Sequence, residues 1–157
     1  MSWSKLAASA ALTVCGAAAL AAQGPPASET ALGASALWGR RPYYGLDAGL
    51  GFRPAGQVRF VLMAGAGVRE GRPAGRVGAE AQFLVLPASK TGMSPYVGMG
   101  AACLMIDSRH SFGALTLTAG VEAAEGNRFG WYVEGGASGG GRLALGVRWR
   151  RFPAWWR

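Results

Sequence analysis

Residues 131–149 read WYVEGGASGGGRLALGVRW. Taken in steps of two, one set is Trp131, Val133, Gly135 and Ala137, followed by Leu143, Leu145, Val147 and Trp149. This set is apolar, with a tryptophan at the outer end of each arm. The interleaved set is Tyr132, Glu134, Gly136 and Ser138, followed by Arg142, Ala144, Gly146 and Arg148, all polar or small. Alternation with period two is a β-strand signal, because successive side chains point to opposite faces. The tract Gly139-Gly140-Gly141 lets the chain reverse between the arms. In a soluble sandwich the apolar face would turn inward. Here the other face holds Glu134 and Arg148 among glycines, while the apolar face has aromatics at its rim. That arrangement fits a strand with lipid outside and a polar interior.

The same pattern repeats upstream. Leu32, Ala34, Ala36 and Trp38 alternate with Gly33 and Ser35, and Tyr44, Leu46, Ala48, Leu50 and Phe52 alternate with Gly45, Asp47, Gly49 and Gly51. Val58 to Val68 alternate with Arg59, Val61, Met63, Gly65 and Gly67, and Val77 to Val85 with Arg76, Gly78, Glu80 and Gln82. Residues 95–106 and 111–124 continue it, with Thr116, Thr118, Gly120 and Glu122 on the polar side of the second. The spacing predicts about eight strands over residues 31–152, joined by short turns such as Gly39-Arg40-Arg41-Pro42, Arg53-Pro54-Ala55-Gly56 and residues 70–74. No segment after residue 21 has the ~18 apolar residues of a spanning helix. Strands that cross lipid must close on themselves, since an open edge leaves backbone groups unpaired. The expected fold is therefore all-β, an antiparallel up-and-down transmembrane barrel.

Met1 to Ala21 has the features of a cleavable signal peptide: Lys5, then an apolar Ala-rich run, then Ala19-Leu20-Ala21 at the cleavage site. Residues 22–30 are expected to be a linker, residues 31–152 the barrel and residues 153–157 a C-terminal tail. Of the two cysteines, Cys15 falls in the leader, which leaves Cys103 as a single thiol and excludes a disulfide scaffold.

The chain carries 16 Lys+Arg against 8 Asp+Glu, a formal charge of +8. A basic balance serves nucleic acid, anionic lipid or lipopolysaccharide phosphate alike. No RNP, zinc-finger or helix-turn-helix pattern supports nucleic acid. Within the strands, Asp47, Glu80, Glu122 and Glu134 share the small, polar side with Arg59, Arg76 and Arg148. These seven form the candidate site: an ion-pair network inside a barrel just wide enough for side chains, where buried charges must be paired. His110, the single histidine, lies beside Ser111 and suggests a hydrolase. Neighbouring strand residues face opposite ways, however, so the two would not meet on a regular strand. No cluster suits a metal, no cofactor is expected, and glycine pairs such as Gly65/Gly67 follow from the alternation rather than from a nucleotide fingerprint.

Pro95-Tyr96-Val97-Gly98-Met99-Gly100 and Leu145-Gly146-Val147-Arg148-Trp149-Arg150, with the leader and the eight alternating segments, resemble the small outer-membrane β-barrel proteins of Gram-negative bacteria. The resemblance covers roughly residues 31–152. Such barrels end on an aromatic that the insertion machinery reads; here Phe152 is followed by Pro153-Ala154-Trp155-Trp156-Arg157, a departure from the pattern. The resemblance implies a monomer in the bacterial outer membrane, with outer-membrane lipid, lipopolysaccharide and the insertion machinery as partners. It also implies periplasmic termini, which would put Arg40, Arg41, Arg69, Arg72, Arg109 and Arg142 at the extracellular rim. Of these, Arg40, Arg41, Arg72, Arg109 and Arg142 are the candidate lipopolysaccharide-binding residues, since guanidinium forks suit phosphate. Short loops weaken an adhesin reading, so the expected role is non-enzymatic and structural, in envelope integrity. The alternatives are a lipid A-modifying hydrolase, a small-solute pore and a soluble ligand-binding barrel. Outer-membrane lipid A deacylases separate their histidine and serine by one residue, whereas His110 and Ser111 are adjacent.

Overall fold

The alternation is realised as eight strands in a single closed sheet. The computed structural model describes residues 24–54, 56–107 and 110–156, of which 107 and 110 are described by backbone alone. The leader reading of residues 1–21 lies outside the described residues. The strands are β1 (Ala27–Trp38), β2 (Tyr43–Arg53), β3 (Val58–Arg69), β4 (Arg72–Leu84), β5 (Met93–Asp107), β6 (His110–Ala123), β7 (Phe129–Ser138) and β8 (Gly141–Arg151). Each pairs antiparallel with the next, and β1 pairs with β8 to close the barrel, in a register that sets Leu32 against Val147 and Gly33 against Gly146. Closure leaves no sheet edge.

The outward set is apolar along every strand: Leu32, Leu46, Leu50, Leu62, Val97, Met99, Leu117 and Leu145 are all exposed, and Leu115 is 82 % exposed. This belt runs round the whole barrel, far beyond the apolar patch a soluble monomer leaves open. Aromatics flank it. Phe52, Phe60, Phe83, Phe129, Trp131 and Trp149 ring the end that carries the termini, and Trp38 and Tyr44 stand at the other. Phe52 faces Phe60 across β2 and β3, and the Phe129 and Trp149 rings lie 5.6 Å apart. Paired aromatic girdles with an apolar band between them are the signature of a barrel in a bilayer.

Several boundaries differ from the sequence reading. Strand β1 begins at Ala27, so residues 27–30 of the expected linker belong to the barrel. Glu29 continues the inward parity of Gly33 and Ser35, and the register places it between Gly51 of β2 and Arg150 of β8. The expected 70–74 loop shrinks to the two-residue turn Glu70-Gly71. Both residues have positive φ (52° and 76°), the type I′ geometry that matches strand twist, so Arg72 pairs directly with Arg69. Strand β7 begins at Phe129, opposite Trp149.

Several of the inward glycines make room for tyrosine. A Cβ on Gly120 would stand 2.6 Å from Cζ of Tyr96, and one on Gly146 would stand 2.8 Å from the Tyr132 ring. The tail after Phe152 folds across the end that carries the termini. Trp156 donates from Nε1 to the Gly126 carbonyl at 3.5 Å, and Lys90 lies 4.9 Å from the Trp156 ring centre.

The two faces predict opposite sensitivities for neighbours on β8. Leu145→Arg puts a cation in the apolar belt and should lower stability by about 2–4 kcal/mol if the site lies near the bilayer midplane. Refolding titrations into lipid vesicles measure this, and a cost near zero would reverse the assignment of faces.

Candidate functional site: the charged lumen

Inward parity carries charge into the barrel, and the charges balance. Glu29, Asp47, Glu80, Glu122, Glu125 and Glu134 are buried, and so are Arg53, Arg59, Arg76, Arg142, Arg148 and Arg150. Six carboxylates therefore face six guanidiniums, and among the described residues the basic excess of the chain lies outside the lumen.

The larger cluster sits toward the end that carries the termini and centres on Glu122 of β6. Its Oε1 accepts from Arg59 at 2.8 Å, and its Oε2 accepts from Arg148 at 2.6 Å and Arg150 at 2.8 Å. Arg59 is fully buried. Its Nη1 also reaches Glu29 at 3.2 Å and Glu125 at 3.3 Å, while Nε and Nη2 donate to Gln82 Oε1 at 2.9 and 2.8 Å. The Tyr96 ring faces Arg59 at 5.2 Å, and the Tyr132 ring faces Arg148 at 4.9 Å. Arg53 fastens the closed end. It donates to the Pro25 carbonyl at 3.1 Å, the Pro87 carbonyl at 3.2 Å and Glu125 at 2.9 Å. One side chain thus holds the N-terminal segment, the β4–β5 loop and the β6–β7 turn. On that turn, burial and the neighbouring Glu122 push the Glu125 carboxyl above its ordinary value, while Arg59 pulls it down.

The second cluster lies nearer the opposite end. Arg142 Nη2 pairs with Glu134, and its Nη1 is 3.9 Å from Glu80. Tyr96 donates to Glu134 at 2.7 Å, and Gln82 and Thr118 donate to Glu80 at 3.1 and 3.3 Å. Asp47 and Arg76 approach to 3.6 Å. Between the clusters the lumen is nearly solid: a cavity of about 10 Å³ touches Asp47, Met63, Gln82, Tyr132, Glu134 and Arg148. Above Arg76 it opens into a vestibule of about 560 Å³ at the end away from the termini.

All seven lumen residues read from the sequence lie inside. Glu122 joins Arg59 and Arg148, and Asp47 joins Arg76; Glu80 and Glu134 turn instead to Arg142. Arg142 is a correction: rather than standing at the rim it is 3 % exposed, because it is the first inward residue of β8 and shares a face with Ala144 and Arg148. Arg40, Arg41 and Arg72 are exposed near the rim, and Arg109 lies outside the described residues. Arg41 and Glu70 approach to 3.7 Å with both side chains at least half exposed, a pair that contributes little. The sequence reading missed Glu29, Arg53, Arg150 and Glu125. The first three obey the parity of their strands and needed only one or two more residues of alternation at each end; Glu125 sits on a turn, where parity gives no signal.

No family model matches the chain, and no curated protein matches it. Among solved structures, the N-terminal β-barrel domain of Pseudomonas aeruginosa OprF aligns with TM-score 0.59 and 19 % identity, covering 82 % of this chain and 99 % of that one. The fold is that of the eight-stranded outer-membrane barrels. Neisserial surface protein A (NspA) aligns with TM-score 0.58 at 13 % identity over 81 % of this chain and 97 % of its own. A de novo designed transmembrane β-barrel aligns with TM-score 0.62 at 14 % identity, over 83 % of this chain and 99 % of that one. At these identities the likeness lies in the outer-membrane barrel fold: strand number, closure and the two faces.

Removing one partner of a buried pair leaves a charge in a low-dielectric site. Arg142→Met should therefore lower stability by about 3–5 kcal/mol, and Arg142→Met with Glu134→Gln by less than Arg142→Met alone. Urea unfolding of the refolded barrel measures both. Equal losses would mean that Glu134 does not depend on Arg142.

Proposed function

We propose that the protein is an integral bacterial outer-membrane barrel with a non-enzymatic, structural role in the cell envelope. The observation that carries this reading is the filled lumen. A gap of about 10 Å³ holds about one water and gives solutes no path, and the charges around it are committed to one another. Aqueous channels come from barrels with more strands. The short turns expose little loop surface for binding other cells.

A hydrolase is disfavoured by the order of the residues: His110 and Ser111 are neighbours on β6, and successive residues of a strand face opposite ways. Glu122, on the same strand, is held by three arginines. A soluble ligand-binding barrel would need the apolar set inside. Lipopolysaccharide contact is part of the proposal only through Arg40, Arg41 and Arg72, which keep exposed guanidiniums near one rim.

Two measurements together test the reading. The protein should fractionate with outer membranes as a band whose gel mobility shifts on boiling. In planar bilayers the purified barrel should show no stepwise conductance, whereas Arg59→Ala with Glu122→Ala, which empties the centre of the plug, should. Steady channels from the unaltered protein would replace the structural reading with a pore.

A further inference from the structure

The vestibule at the end away from the termini has the composition of a binding site. We infer that it takes an amphipathic organic anion, a carboxylate or phosphate monoester carrying a compact apolar group, with Arg76 as the anion-binding residue. Arg76 lies against the cavity at 2 % exposure, and none of its three guanidinium nitrogens has a hydrogen-bond partner in the protein. Asp47 approaches it only to 3.6 Å, beyond hydrogen-bond reach, and is not part of the cavity lining. Arg59, by contrast, is satisfied at every nitrogen. A buried guanidinium left with its donors free is costly unless something accepts from them, and its planar fork matches two oxygens of a carboxylate or phosphate.

The rest of the lining agrees. Arg69 on the wall is half-buried with its Nε also unpartnered, and Arg40 and Arg41 stand at the mouth, where Glu70 offsets one charge through Arg41. Cations at the mouth and floor favour entry of an anion. The remaining large side chains of the lining include apolar ones, Leu37, Leu104, Ile106 and Phe112, of which Leu104 pairs across the sheet with Arg76 itself. A cavity of about 560 Å³ that combines guanidiniums with apolar side chains is of the size and mixed lining that small-molecule sites present. This lining accounts for inward residues that the ion-pair network does not use. The inference does not rest on the envelope role, since a plugged lumen and an occupied vestibule are independent.

The ligand can come from a lipid headgroup or from a free molecule, and the test separates the two. Phenyl phosphate, inorganic phosphate and benzyl alcohol are titrated calorimetrically into the refolded full-length barrel in zwitterionic nanodiscs, with empty nanodiscs subtracted. Phenyl phosphate should bind, and each of the other two should bind at least about tenfold more weakly, lacking either the apolar contact or the charge. Asp47→Asn with Arg76→Met, which removes the charge and its neighbour together, should weaken phenyl phosphate at least about tenfold, and Arg69→Gln should do so to a smaller degree. The boiling shift on gels verifies that each variant is folded, and Arg69→Gln decides alone if the double variant is not. In nanodiscs containing phosphatidylglycerol, suppressed phenyl phosphate binding identifies a lipid headgroup as occupant, and unchanged binding identifies a free anion. No binding, or equal binding by the folded variants, overturns the site.

Discussion

Glu122 accepts from three arginines that arrive from two strands, Arg59 on β3 and Arg148 and Arg150 on β8, and most of the interior is arranged around that contact. A carboxylate without water must be satisfied by charge and hydrogen bonds, and so must each guanidinium. The consequence is a lumen in which every charge brings an opposite one. Removing any member exposes the rest, which is why the network extends through Glu29 and Glu125 to Arg53 and the closed end. Such a core is a weak source of stability compared with an apolar one, but it fixes register, since a slip of one residue would turn all of these charges toward lipid.

The same constraint explains where the small residues go. An eight-stranded barrel has an interior just wide enough to be filled by side chains. Arginine and tyrosine fill it here, and glycine lies opposite the rings. Tyr96 serves twice, donating to Glu134 and lying beside Arg59, so it links the two clusters. Where the ion pairs stop, above Arg76, the interior becomes hollow, with arginines and apolar side chains sharing the lining. The plug and the vestibule are thus two solutions in one barrel, one closed by charge pairing and the other left open.

Strand number, closure and faces were legible in the alternation of residues such as Leu143, Leu145 and Val147 against Arg142 and Arg148, because period two is a local property. The members of the network were legible only where a strand was already recognised. Glu29 was hidden by a stretch that also contains Pro25 and Pro26 and looked like a linker, and Arg53 by the Pro54 turn. Arg142 followed the right parity but was assigned by its nearness to a glycine turn, and the parity proved the better guide. Pairing partners were not legible at all. Which carboxylate meets which arginine across the lumen depends on closure of the barrel, which brings Glu122 of β6 to Arg59 of β3 although those strands do not pair. The vestibule escaped for a related reason: its wall gathers Leu37, Leu104 and Phe112 from three strands.

The central claim is that the cluster around Glu122 is a dry core of paired charges. The side-chain Nε–H signals of the arginines in the refolded, lipid-embedded barrel report on this directly. Arg59, which gives its Nε proton to Gln82, should show a resolved signal that exchanges far more slowly with water than that of exposed Arg40, and raising salt should leave it unchanged, because buried pairs are poorly screened. An Arg59 signal that exchanges as fast as that of Arg40, or that shifts with salt, would mean a wet and labile lumen and would contradict the account.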